Sequence, residues 1–174
     1  MAVDFMDSLK PRGELCMDLG CGSGVLGLYA LVKGYCRRVV FIDIQEDALQ
    51  TTLNNIVLNG MLGRSIVVSS YPAFFKSTFD VVLANPPYLP GLNGRVEDET
   101  VEGGRYGFET LLYFIDAAFR ALKRGGLLIL VYSSLSNPEV IEKHLHGRFD
   151  KVAQISKRLF YEVIYAVGVV KKSD

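Results

Sequence analysis

Asn85-Pro86-Pro87-Tyr88 is the stretch of this sequence whose residue types most closely specify a reaction. It follows directly on the run Phe79-Asp80-Val81-Val82-Leu83-Ala84, which reads as a strand and would deliver it to one end of a sheet. A planar amino nitrogen, as in an amide or a nucleobase, is a poor nucleophile because its lone pair is delocalised. If both of its N–H bonds donate to fixed carbonyl oxygens, it is held facing an electrophile and its growing positive charge is stabilised. The side-chain oxygen of Asn85 and the backbone oxygen of Pro86 are acceptors of that kind. Consecutive prolines stiffen the backbone that aims them, and Tyr88 offers a flat face for stacking. Asn85, Pro86 and Tyr88 are therefore the candidate catalytic residues, with Pro87 added as a substrate contact. No strong base is required, since the proton can leave once the nitrogen is cationic.

A second constellation lies upstream, in Asp18-Leu19-Gly20-Cys21-Gly22-Ser23-Gly24. It joins a strand, Glu14–Leu19, to a helix, Gly24–Lys33, that stops at Gly34. Glycines let such a turn bend tightly and let a ligand approach the backbone beside a helix N-terminus. A dinucleotide fingerprint would need a third glycine where Val25 stands, so that match fails. Asp43 ends the next strand, Arg38–Asp43, at the sheet edge where nucleosides bind in such folds. A carboxylate there can accept ribose hydroxyls, or it can cap the helix that follows.

The elements that position these residues alternate between short apolar runs and amphipathic stretches, the pattern of a parallel sheet covered by helices. Asp47–Asn59 reads as a helix with Leu49, Leu53, Ile56 and Val57 on one face and Gly60 as its stop. Ser65–Ser69 and Phe79–Ala84 are strands, and Phe108–Leu122 a long helix. Gly125-Gly126 then turns the chain into the strand Leu127–Ser133, and Asn137-Pro138 opens another helix. Phe149–Leu159 and Tyr161–Val170 are joined too tightly for a crossover and must pair antiparallel. Asn85–Tyr106 is a long irregular stretch, which in a compact domain is usually functional.

This pattern resembles the class I methyltransferase fold: an α/β, Rossmann-like three-layer sandwich whose mostly parallel seven-stranded sheet ends in a C-terminal antiparallel hairpin. The whole chain, residues 1–174, reads as one such domain. Asp18 before the glycines resembles motif I of the S-adenosylmethionine enzymes. The resemblance implies S-adenosylmethionine as cofactor, with Asp18 near its amino-acid end and Asp43 on its ribose. Gly20, Cys21, Gly22, Gly24, Ile44 and Asn85 would line the rest of the cofactor site. An Asp that related enzymes place after the third strand is missing from Ser69-Ser70-Tyr71-Pro72, so Ser70 is expected to accept from the adenine amino group, with Tyr71 packing on the ring.

Asn-Pro-Pro-Tyr is the hallmark of the amino-methyltransferases, and Val101-Glu102-Gly103-Gly104-Arg105-Tyr106-Gly107 resembles a stretch of the HemK-type enzymes, the glutamine methyltransferases of peptide chain release factors. That likeness implies a release factor as substrate, with Arg105 clamping its backbone. The chain resembles the minimal branch that works with a small zinc-binding activator, expected at the edge strand Ser65–Ser69. This branch normally carries a Tyr-x-Pro-x-Glu-Asp-[Ser/Thr] lid before the first strand. Only Met1–Arg12 stands there, with Phe5, Met6 and Leu9 spaced like the end of an amphipathic helix. The expectation is a start internal to a longer natural chain.

Composition leaves alternatives open. Lys+Arg and Asp+Glu are both 19 in 174 residues, so no global basic field favours DNA or RNA, although an adenine or guanine amino group remains the nearest rival. A lysine target must first lose a proton, which two carbonyl acceptors do not arrange. A silent binding subunit is the option from another class. Cys16, Cys21 and Cys36, with His144 and His146, lack metal-ligand spacing and read as reduced cytosolic thiols. With no leader or bilayer-length apolar run, a cytoplasmic location is expected.

Overall fold

The computed structural model describes residues 1–71, 75–87 and 107–173. A short helix, α1 (Ala2–Leu9), buries Phe5 and Met6 and precedes the first strand. There follow β1 (Gly13–Leu19), α2 (Val25–Val32), β2 (Cys36–Asp43), α3 (Glu46–Leu58), a 3-10 turn (Leu62–Arg64) and β3 (Ser65–Ser69). β4 (Phe79–Ala84), α4 (Glu109–Ala121), β5 (Leu122–Ser133), α5 (Pro138–His146), β6 (Phe149–Arg158) and β7 (Val163–Lys171) come next among the described residues. The seven strands lie in the order β3-β2-β1-β4-β5-β7-β6. The first five are parallel, and β7 pairs antiparallel with both β5 and β6. This is the expected class I sheet with its terminal hairpin.

Each face of the sheet carries an apolar layer. Met17, Val40, Val82, Leu128 and Val167 meet Leu111, Ile115 and Ile141 of α4 and α5 on one side. Phe41, Val81, Ile129 and Ala166 meet Phe5, Leu28, Leu31 and Ile56 of α1, α2 and α3 on the other. Burial on both faces explains why these strands read as continuous apolar runs.

Three expectations change. Cys16 and Cys36 are not free thiols but form a disulfide, and only Cys21 is a free cysteine. The two lie on adjacent parallel strands in the same buried layer, a neighbour relation that spacing along the chain does not display. The apolar face of α3 is also turned. Thr52 and Ile56 are buried, while Leu53 and Val57 are 38 % and 52 % exposed. The helix lies over the sheet's β3 edge, where nothing in the described residues covers its far side. Finally, Gly125-Gly126 lies inside β5 rather than before it. The β4–β5 register shifts between Phe79 and Val81, and Gly125 takes φ of 70°, as a bulge requires.

Candidate active site at the carboxyl edge of the sheet

Register brings the predicted residues together. Leu19 pairs with Ile42 on one side and Ala84 on the other, and Asp43 pairs with Ser69. The residues just past these strand ends, Ser70, Ile44, Gly20 and Asn85, therefore follow one another along a single sheet edge. With strands spaced about 4.8 Å apart, Ser70 to Asn85 spans about 15 Å. A nucleoside at one end and a reacting group at the other would fit that length.

Gly20, Gly22 and Gly24 all adopt positive φ, at 64°, 54° and 76°. A Cβ on Gly20 would meet the Phe114 ring at 2.8 Å, whereas the space beyond Gly22 is open. The loop is fastened from below. Thr52 Oγ1 donates to the Gly22 carbonyl at 2.8 Å, Asn55 Nδ2 to that of Ser23 at 2.8 Å, and the Cys21 amide to Ile42 O at 2.9 Å. Burial pushes the Cys21 thiol up to about 12, so it stays protonated.

Asp43 organises the β2 end of this edge. Its Oδ2 accepts from the Gly22 amide at 2.9 Å, and its Oδ1 from the amides of Ile44 at 2.8 Å and Gln45 at 3.1 Å. An ionised carboxylate has about four acceptor positions, so roughly one stays open. Asp43 does not cap α3, whose N-cap is Gln45 with no side-chain cap bond; its contacts stay in the turn before the helix. Ser70 sits beside Asp43, donates its hydroxyl to Tyr71 O at 2.8 Å, and keeps oxygen lone pairs able to accept. Tyr71 is 60 % exposed.

Asp18 is 2 % exposed, and its Oδ2 accepts from the Gly27 amide in the first turn of α2 at 2.8 Å. Desolvation raises its pKa to about 7, with the charge of Asp43 adding to the rise. The carboxyl thus braces the helix behind the loop.

Asn85 is exposed, Pro86 buried and Pro87 half-buried, which puts a polar side chain on a backbone anchored immediately behind it. Tyr88 and Arg105 lie outside the described residues, as does the Gly103-Gly104 stretch. Thr52, Asn55 and Phe114 escaped the sequence reading. Thr52 interrupts an apolar stripe, and a polar residue in such a place is the signal that could have exposed it.

A family profile described as Methyltransferase small domain matches residues 4–165. The chain belongs to that family. The cofactor of this methyltransferase domain is S-adenosylmethionine. The site fits it, with an open cradle above Gly22 and a partly free carboxylate at Asp43. The domain is 27 % identical over 154 residues to Ribosomal RNA small subunit methyltransferase C of Actinobacillus succinogenes, covering 87 % of this chain and 41 % of that protein. It is 32 % identical over 151 residues to a Methanocaldococcus jannaschii protein provisionally named as a protein N5-glutamine methyltransferase, covering 82 % of this chain and 73 % of that one. The methyltransferase spans less than half the length of the first relative and of several release factor glutamine methyltransferases that it also matches. In fold it is similar to the E. cuniculi Mtq2–Trm112 complex, which methylates the eRF1 translation termination factor. The TM-score is 0.75 at 21 % identity, over 99 % of this chain and 93 % of that one. Among the described residues no helix is long and apolar enough to cross a membrane.

Proposed function

We propose that this methyltransferase acts on the side-chain amide nitrogen of a glutamine in a peptide chain release factor. The observation that carries the reading is the position of Asn85 and Pro86, the first two residues past β4, whose last residue Ala84 pairs with Leu19. S-adenosylmethionine, when bound, supplies an electrophilic methyl group on sulfur. The chain's part is to hold the acceptor. Asn85 and Pro86 accept the two N–H bonds of the amide, and Tyr88 stacks on its plane. Asp43 takes one ribose hydroxyl directly, and a second by exchanging its longest amide contact, that from Gln45. Asp18 supports the amino-acid end through α2, Ser70 accepts from the adenine, and Arg105 clamps the peptide.

Relatives named as glutamine methyltransferases support the amide as acceptor. Two surface features support a macromolecular substrate and a partner. Phe160 and Tyr161, fully and 94 % exposed, form the β6–β7 tip at the same sheet end as Asn85, because Ile164 pairs with Ser133. Along the β3 edge, Val57, Leu58, Leu62 and Ile66 are each more than half exposed. A small activator, the zinc-binding kind included, would pair with Ser65–Ser69 and cover them. A cytoplasmic location belongs to the same reading. Disulfides are rare in a reducing cytosol, so thiol titration of Cys16 and Cys36 in protein taken directly from cells tests it.

A second reading, amino methylation of ribosomal RNA, is favoured by the Actinobacillus succinogenes relative. Transfer of labelled methyl to a release factor, to its Gln→Ala variant and to ribosomal RNA separates the two. The proposal expects label in the first alone, and label only in RNA would replace it.

A further inference from the structure

At the opposite end of the sheet, the amino ends of β1, β2 and β5 border a cleft of about 700 Å³. Arg12, Arg37, Arg64, Lys123 and Arg124 line it. From Asp80, which also lines it, β4 runs five residues to Asn85, so the cleft is about 16 Å from the methyl acceptor site.

Two carboxylates share the cleft, and both have internal partners. Glu14 pairs with Arg37 at 3.1 Å, and Asp80 with Lys123 at 2.6 Å while accepting from the amides of Glu14 and Leu15. Arg64 is held differently. Its guanidinium donates to Arg37 O and Cys36 O, each at 2.8 Å, and to Leu31 O at 3.3 Å. Neutral carbonyls fix the group without cancelling its charge, and two of its five N–H bonds stay unspent among the described residues. With Arg124 engaged elsewhere, Arg12 and Arg64 remain beyond these two ion pairs, a formal +2 in a chain whose net charge is zero. Four of the five cations are arginines, whose planar forks match phosphate oxygens in pairs. Gly34 and Gly125 on the rim have open space where a side chain would project, so a ligand can reach the backbone.

We propose that this cleft binds a ligand presenting two or more phosphate groups, at a docking site remote from methyl transfer. The proposal does not depend on which nitrogen is methylated. Phosphodiester chains and free polyphosphates share the chemistry, and the test includes both.

Anisotropy of a labelled oligouridylate, titrated with the full chain between about 50 and 200 mM salt, reads binding directly. With about two phosphates neutralised, log K is expected to fall against log salt with a slope of about −1.4. Arg12→Glu is expected to weaken binding at least fivefold and to make the slope shallower by about one. Its melting temperature and S-adenosylmethionine affinity should match those of the parent chain. Should that variant fold poorly, Arg12→Ala is expected to show the same direction with a smaller change. Competition by inorganic tripolyphosphate would name free polyphosphate as a source, and its failure to compete would name the phosphodiester chain. Equal binding by parent and Arg12 variants, no salt dependence, or oligoglutamate binding as tightly as oligouridylate would each overturn the proposal.

Discussion

The backbone amide of Gly22 donates to a carboxylate oxygen of Asp43 at 2.9 Å, tying the loop after β1 to the end of β2. Two halves of the candidate site thereby hold each other in place before any ligand arrives. The positive φ of Gly22 aims that amide, and the pairing of β1 with β2 sets the distance.

Asp43→Ala removes the acceptor of three amides, together with the proposed ribose contact. Losing a hydrogen bond to a charged acceptor costs about 1.5–3 kcal/mol. Isothermal titration should show S-adenosylmethionine binding weakened about 10- to 100-fold. Asp43→Asn, which keeps one oxygen acceptor, should fall between the two. Unchanged affinity in Asp43→Ala would remove Asp43 from the site.

Thr52 carries a second prediction. It is fully buried, and its hydroxyl satisfies the Gly22 carbonyl. Thr52→Val keeps the shape and leaves that carbonyl without its partner, at a cost of about 1–3 kcal/mol. Denaturant unfolding should register the loss, and cofactor affinity should fall with it because the loop is loosened. A loss of stability with affinity intact would mean that the loop does not need its fastening to α3.

Asp18 makes stability depend on pH. Its folded pKa of about 7 lies above the ordinary 3.8 of an unfolded chain. Between those values the native state holds a proton that the unfolded state has lost, so stability falls as pH rises from about 4 to about 7. The full effect is on the order of 4 kcal/mol. Asp18→Asn still accepts from Gly27 and cannot ionise. Urea midpoints measured from pH 4 to 8 should therefore slope less in the variant, which should be the more stable protein at pH 8. Parallel profiles would show that Asp18 is ionised in the fold.

The placement of much of this candidate site was legible because strand ends and glycine loops are local features. Asp18, Gly20, Gly22, Asp43, Ser70 and Asn85 each stand at a boundary between an apolar run and a turn, and parallel pairing places them along one edge. What escaped depends on contacts between elements. Thr52 faces the loop only because α3 lies over the sheet margin, and Cys16 meets Cys36 only because β1 and β2 are neighbours. The proposed substrate contacts at Tyr88 and Arg105 belong to the stretch between Pro87 and Gly107, which neither periodicity nor the described structure places.

The hairpin tip tests how a large substrate is held. Exposed aromatics often supply much of the binding energy of an interface. Phe160→Ala with Tyr161→Ala is expected to raise KM for the macromolecular acceptor about tenfold or more, with kcat and cofactor affinity nearly unchanged. Both side chains face solvent, so little stability should be lost. A normal KM would leave the tip without a role in docking.

The central claim is that Asn85 holds a planar amide nitrogen for methylation. Labelled methyl transfer from S-adenosylmethionine to a release factor, with the parent chain and with Asn85→Ala, measures it most directly. Label on the glutamine is expected with the parent chain. With Asn85→Ala, kcat is expected to fall at least about 100-fold at near-normal cofactor affinity, as removal of a transition-state donor or acceptor typically gives. Transfer by Asn85→Ala at the parental rate, or label that persists when the glutamine is replaced, would contradict it.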